Sequence, residues 1–318
     1  MTVRGMFVSS VALRRFWRER GGGYRTFATL TSLAAPMSDA SARLIPPAPA
    51  LASLIAATVV RDTRGQALTS DQRVSFFPAA PMCSVTWVWE GAIHDADLNG
   101  TPVAEPFPYG FFTGPKSGPM ASWSPGPVHA MTVVFYPEAW RALTGVAPGD
   151  LANRSVALDA LPPGRALDVC AALCEADGYD GLAAALQPLW AATRPPTFFT
   201  SPLLIDWLAA LLARTAVSGP GRSLRQAQRR LKALTGRSRR ELEVHARVEA
   251  LFARTLAADG SGDGAPGLAD LAHDAGYADQ SHMGREVKRI TGLSPAKINR
   301  LIATDERFWC YRLLGERF

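Results

Sequence analysis

The chain has 318 residues, 47% hydrophobic and 19% charged, which excludes a disordered or fibrous protein and leaves room for two or three domains. Its four cysteines (Cys83, Cys170, Cys174, Cys310) do not make a disulfide-stapled scaffold and fit reduced thiols in a cytoplasm, and no run of about 18 apolar residues is present to cross a membrane. The net charge of +6 is uneven: residues 1–37 carry six Arg against one Glu, residues 38–220 ten basic against fifteen acidic side chains, and residues 219–318 eighteen against twelve. A polyanionic partner is therefore sought in the last third.

Residues 1–45 read as a disordered leader or an overextended start, with Met37 as an alternative initiator. They also imitate an organelle transit peptide, or a basic surface helix from Val8 to Arg20. Pro46, Pro47 and Pro49 mark the boundary to a domain over 46–195. Within it, short extended runs at Arg73–Phe77, Ser84–Glu90, Gly110–Thr113 and Val128–Tyr136, broken by Pro and Gly, predict a β sandwich or small barrel. Ala/Leu-rich helices follow at Glu138–Thr144, Pro163–Ala176 and Gly181–Thr193. Pro195-Pro196 closes this region, and a domain over 196–318 opens with an apolar helix, Pro202–Val217.

The last third repeats itself. A shift of 56 positions places Arg229 on Arg285, Lys232 on Lys288, Thr235-Gly236 on Thr291-Gly292 and Ser238 on Ser294. Ser223 falls on Asp279, both good helix N-caps. Ala227, Leu231 and Leu234 fall on Met283, Val287 and Ile290, each set spaced as one buried helical stripe. In the second copy the apolar stripe of Leu268, Leu271, Ala272 and Ala275 predicts a short helix, Gly276 a turn, and Asp279 the cap of a helix over Gln280–Thr291. That is a helix–turn–helix. The first copy is less regular, since its turn contains Pro220. Between the copies, Ser238 and Glu241 form a capping box for a helix running to about Ala258, a rod of about 30 Å against about 34 Å for one turn of DNA. Residues Asp259 to Gly267 interrupt it, and Ser294 with Pro295 opens a similar closing helix after the second copy.

The faces opposite the apolar stripes present Arg225, Gln228, Arg229 and Lys232 in the first copy, and Gln280, Ser281, Gly284, Arg285 and Lys288 in the second. Gln can pair with adenine and Arg with guanine through two hydrogen bonds each. Gly284 would let the backbone approach DNA, while Lys232, Lys288 and Arg289 suit phosphates. A solvated polar face is the alternative reading of either copy alone; the pairing of the two copies favours DNA.

The segment LADLAHDAGYADQSHMGREVKRITGLSPAKINRL (268–301) resembles the second helix–turn–helix of AraC/XylS-type transcriptional regulators, and SLRQAQRRLKALTGRSRREL (223–242) resembles the first recognition helix and its continuation. The resemblance covers about residues 200–301. It implies base-facing roles for Arg225, Gln228, Arg229, Gln280, Ser281, Gly284 and Arg285, with His282 either packing or touching phosphate. Met283 stands where the family carries an aromatic residue. More faintly, FFPAAPMCSVTWVWEG (76–91) and VVFYPEAWRALTGVAPGDLANRSVALDAL (133–161) resemble the cupin-like N-terminal domain of some such regulators, which implies sensing or dimerisation. The expected fold is thus α+β: a β-rich, cupin-like domain with helices, then an all-α domain with two helix–turn–helix units.

Trp87, Trp89, Phe111, Trp123 and Phe135 are candidates for an apolar ligand pocket, and equally for a packed core. His94, Asp95 and Asp97 read as a solvated loop rather than a metal site, and Cys170 and Cys174, one helical turn apart, as buried thiols rather than a sensor. Phe308, Trp309, Tyr311, Leu313 and Leu314 are too apolar to dangle and should pack on the last helices or on another subunit. No catalytic residue, metal or cofactor is assigned. The expected protein is a cytoplasmic, bacterial, sequence-specific regulator that binds double-stranded promoter DNA. An unidentified small-molecule effector, a second copy of the chain and RNA polymerase are candidate partners, with no membrane partner. Residues 200–318 alone are expected to retain DNA binding. The alternative is a small-molecule-binding or catalytic cupin-like protein whose helical region only packs; a peripheral membrane protein using residues 1–20 is a further rival.

Overall fold

The computed structural model describes residues 41–315 apart from 108, 175, 177, 194–202, 218–223, 262–272 and 274. The leader over 1–40, the turn of the first copy with Ser223 and Pro220, and most of the helix expected over 268–275 lie outside the described residues.

Nine strands form two antiparallel sheets among these residues. The larger has the order β1 (Ala42–Ile45), β2 (Ile55–Asp62), β8 (His129–Phe135), β4 (Cys83–Glu90), β6 (Gly110–Thr113), β9 (Ser155–Ala157). The smaller has the order β3 (Val74–Phe77), β7 (Met120–Trp123), β5 (His94–Ala96). Four of these were expected from short apolar runs between turn residues. Strand β1 falls inside the stretch read as leader, where its pairing with β2, Ala42 opposite Arg61, fixes it.

Alternation along the strands of the larger sheet separates two environments, because successive side chains point to opposite faces. Met131, Val133 and Phe135 of β8, with Val85 and Trp87 of β4 and Phe112 of β6, enter a large core. Helices α1 (Pro137–Thr144), α2 (Arg165–Cys174) and α3 (Gly178–Thr193) supply Trp140, Leu167 and Leu186 to it. The residues between them in sequence, Ala130 and Thr132, Ser84 and Thr86, Phe111 and Thr113, face a space between the two sheets.

Among the described residues, the helical half contains α4 (Leu204–Val217), α5 (Leu224–Thr235), α6 (Arg239–Ser261), α7 (Gln280–Thr291), α8 (Pro295–Thr304) and α9 (Trp309–Gly315). Helix α7 has the expected bounds because both ends are chemically defined. The Asp279 side chain accepts from the His282 backbone N–H at 2.6 Å, and Gly292 terminates the helix at φ +79°. The Ser238–Glu241 capping box is present in both directions. Ser294 sits at the cap position of α8 without a side-chain bond, and Pro295 starts the helix. Helix α6 runs to Ser261, past the expected end near Ala258.

The core does not stop at residue 196. Trp207, Leu208 and Leu211 of α4, Leu231 of α5 and Leu242 of α6 join the same cluster as the strands and α1–α3, and the Trp207 indole donates to Glu138 Oε1 at 2.9 Å. Met283, Val287 and Ile290 of α7 form a second cluster with Val248 and Leu251 of α6, Ile298 of α8, and Phe308 and Tyr311 of the C-terminal segment. That segment packs on the last helices as expected, and also on β1 and β3 of the β-rich half.

Candidate nucleic-acid interface and interior cavity

Among the described residues, both copies turn apolar stripe residues inward, with Leu234 of the first only half-buried, and expose the opposite face. In α5, Leu231 is fully buried while Arg225, Gln228, Arg229 and Lys232 are exposed. In α7, Met283, Val287 and Ile290 are buried while Gln280, Ser281, Arg285, Lys288 and Arg289 are exposed and Gly284 is half-buried. A Cβ placed on Gly284 would meet no atom within 4 Å, so packing inside the chain does not demand glycine there.

Among the described residues, Arg225, Arg229, Lys232, Arg285 and Lys288 make no ion pair and face solvent. Arg289 differs, since its guanidinium pairs with Glu241 Oε1 at 3.1 Å. Nearby, Arg247 on α6 holds Glu286 through two bonds of 2.6 and 3.1 Å. These pairs dock α7 on the first half of α6, so α6 is a platform for α7 as well as a spacer. His282 packs: its ring lies edge-on to Tyr277 at 5.4 Å and Nε2 is 3.3 Å from Glu286 Oε1.

The helix ends match bond for bond. Thr235 Oγ1 donates to Leu231 O at 2.8 Å and accepts from the Arg237 N–H at 3.1 Å; Thr291 Oγ1 donates to Val287 O at 2.9 Å and accepts from the Leu293 N–H at 3.1 Å. Gly236 and Gly292 follow with φ +68° and +79°. The internal repeat is therefore structural as well as sequential.

Between the two sheets lies a cavity of about 310 Å³, a size that suits a small organic ligand. Of the five aromatic candidates only Phe111 lines it. Trp87 and Phe135 point to the helical side of the larger sheet and are core. Trp89 is 42% exposed beside His129, and Trp123 lies against His94 on the smaller sheet. The lining was hidden in alternate Ser, Thr and Ala positions, which carry no signal until strand parity is known.

The helical half closes part of the cavity with His245, Ile290, Trp309 and Tyr311. Burial, then the nearby Arg237, hold the His245 imidazole down at about 4, so it is neutral. Burial pushes the Cys310 thiol up to about 12. The Tyr311 hydroxyl is buried without a hydrogen-bond partner. The C-terminal segment is pinned by Arg61, which bonds Glu306 at 2.9 Å and lies over the Trp309 ring, and by the Trp309 indole donating to Ser75 Oγ at 2.9 Å.

Residues 43–157, about a third of the chain, match the model of a domain of unknown function, DUF6597. No curated protein matches the chain. Among solved structures, ToxT from Vibrio cholerae in a P21 crystal form is similar at 13% identity over 76% of this chain and 96% of that one, with a TM-score of 0.37. ToxT from strain O395 gives 12% identity, 83% and 99% coverage and a TM-score of 0.36, and an unsaturated fatty acid-bound ToxT gives 11%, 70% and 93%, and 0.32. Likeness this distant transfers no role to any residue. Among the described residues no helix is long and apolar enough to cross a membrane, and no group of three His, Cys, Asp or Glu could hold a metal ion.

Proposed function

We propose that the chain is a sequence-specific DNA-binding regulator of transcription, with residues 196–318 carrying DNA recognition and the β-rich half sensing a small molecule. The observation that carries this reading is the duplicated pair α5 and α7. Each turns apolar residues inward (Leu231 and, in part, Leu234 in α5; Met283, Val287 and Ile290 in α7) and has an identical Thr-Gly terminus, with unpaired Arg and Lys exposed on the far side. In this reading Arg225, Gln228, Arg229, Gln280, Ser281, Gly284 and Arg285 meet base edges, and Lys232 and Lys288 meet phosphates. Arg289 reaches phosphate only by sharing or releasing Glu241.

The cavity is the place for the effector. A ligand there would touch both halves at once, since strand residues and His245, Ile290 and Tyr311 share its wall. An apolar small molecule suits that lining. Selection of bound DNA from a random pool with the full chain tests the reading. A two-part enriched motif is expected, and enrichment of no motif overturns it. Removing Lys288 should lower the slope of log affinity against log salt by about one without changing the motif.

A further inference from the structure

Each reading helix is held at its C-terminal end by the β-rich half, and both holds belong to one bonded unit. At the first helix the backbones nearly touch: a Cβ on Gly149 would lie 2.6 Å from Ala233 O, and one on Gly236 2.8 Å from the Ala152 Cβ. The buried Arg237 guanidinium donates to Pro115 O at 3.2 Å and to Asn153 Oδ1 at 3.0 Å. Asn153 itself adopts φ +61°, the left-handed region that asparagine tolerates better than most residues other than glycine. At the second helix, the Ala79 N–H donates to Ile290 O at 2.8 Å, Ala79 is buried in the α7 cluster, and Pro119 lies 3.2 Å from where a Gly292 Cβ would sit. The two holds are joined. The Lys116 N–H donates to Ala80 O at 2.8 Å, the Asn153 N–H donates to Pro115 O at 2.8 Å, and the Ser117 N–H donates to Asn153 Oδ1 at 2.8 Å.

We propose that this unit, residues 79–80, 115–119 and 149–153, is a jig that fixes the separation of the two reading helices and so selects the spacing between the two halves of a DNA site. The proposal rests on the DNA-binding reading above. The jig grips only helix ends and buried faces, leaving Arg225, Gln228, Arg229, Gln280 and Arg285 exposed, so it orders the interface without covering it. Arg237 and Asn153 are positioning residues: they touch no DNA-facing side chain but hold the end of α5. Two reading heads on a rigid mount bind a correctly spaced double site as one event; on a loose mount the second contact costs ordering entropy and becomes indifferent to spacing.

Two measurements on the full chain test this. Spin labels on Arg225→Cys and Ser281→Cys should give one narrow distance distribution by pulsed electron resonance. Arg237→Lys, and separately Ala79→Pro, which removes the N–H that holds Ile290, should broaden it. Unchanged widths in both variants, each with wild-type secondary structure and cooperative melting, overturn the jig whether or not DNA binds. With DNA carrying both selected half-sites at varied spacers, the parent should bind a spacer half a helical turn off on the order of 100-fold more weakly. In the variants that penalty should shrink to within about threefold, with the half-site sequences unchanged. A penalty that stays at the parent's size in a folded variant also overturns it. Failure of the parent to select any motif strikes the DNA-binding reading instead, and the label distances then decide on the jig alone.

Discussion

Thr235 and Thr291 make the same two hydrogen bonds at the ends of α5 and α7, yet the helices they terminate are buried in different places. Helix α5 puts Leu231 into the core built by the larger sheet and α1–α4. Helix α7 puts Val287, the residue 56 positions on, into a smaller cluster of the helical half, which the β-rich half enters at Ala79 and Phe76. A duplicated motif has thus kept its local chemistry and diverged in its neighbours. Local chemistry is set by a few adjacent residues, whereas the surroundings are chosen by which apolar face lies opposite. The first copy has become part of the β-rich half's core; the second belongs to a separate cluster, which the β-rich half meets at Ala79, at Phe76 and through the C-terminal segment.

The strongest way to break this contrast is to truncate the equivalent side chains. Leu231→Ala removes a fully buried side chain from the shared core and should cost about 3 kcal/mol, carried by the whole chain in one transition. Val287→Ala loses less apolar volume and should cost about 2 kcal/mol, opening the second cluster before the rest. Urea melts followed by tryptophan fluorescence and by amide exchange separate the two. If both variants melt alike in every probe, the two copies share one cooperative unit. The shared core also revises what a fragment can do. Residues 200–318 would expose Trp207, Leu208, Leu211 and Leu231, so the isolated fragment should aggregate or lose affinity relative to the full chain.

The exposed faces proposed to meet DNA offer the next test. Arg285→Ala should cost about 1–3 kcal/mol at a specific site and relax preference at one base position. Arg229→Ala, its equivalent in the first copy, should do the same at the other half-site. Gel-shift titrations on single-base variants of the selected site read both. A loss at Arg285 with none at Arg229 would mean that the first copy grips phosphate without reading sequence.

The helices that follow α5 and α7 also correspond, and here one residue changes character. Leu242 and Ile298 are both buried, but one turn later His245 stands where the second copy has Leu301. His245 is buried and held at about 4 by burial and by Arg237 and Arg289, against the opposing pull of its bond to the Ala79 backbone and of Glu241. Below about pH 6.5 the unfolded imidazole takes up a proton that the folded one refuses until about pH 4. Stability contributed by the neutral ring is therefore present above that window and lost as pH falls through it, by about 2 kcal/mol from pH 7 to pH 5. His245→Gln should flatten this dependence in thermal melts; an unchanged slope would place the titration elsewhere.

The sequence showed the second copy best, because Asp279 and Gly292 state where a helix begins and ends regardless of what surrounds it. The β-rich half was less legible. Ile55–Asp62 is an apolar run with no turn signal, and only its pairing with β1 and β8 makes it a strand. The cavity was the least legible feature. Large aromatic side chains suggested a pocket, but Trp87 and Phe135 have the parity of the helical face. The space is left by the small side chains between such residues, such as Ser84, Thr86 and Thr132. Arg237 gave no signal either, since its partners, Pro115 O and Asn153 Oδ1, are more than 80 positions away.

The smallest expected effect is the most specific to the two-copy comparison. Position 284 is glycine in the second copy, and its equivalent, Gln228, carries a long side chain in the first. Glycine inside a helix costs stability because the unfolded chain gains freedom, and nothing in the fold requires it here, with open space around a Cβ. Gly284→Ala should therefore stabilise the protein by about 0.5–1 kcal/mol. If the helix backbone must approach a base pair at this point, the same methyl group should weaken specific DNA binding by about tenfold, or about 1.4 kcal/mol. The two effects have opposite signs, so general damage cannot imitate them. Gln228→Ala in the first copy should leave stability nearly unchanged and cost affinity only through a lost hydrogen bond. A Gly284→Ala variant that melts higher and binds as well as the parent would show that α7 reads DNA through its long side chains alone, at a distance from the bases.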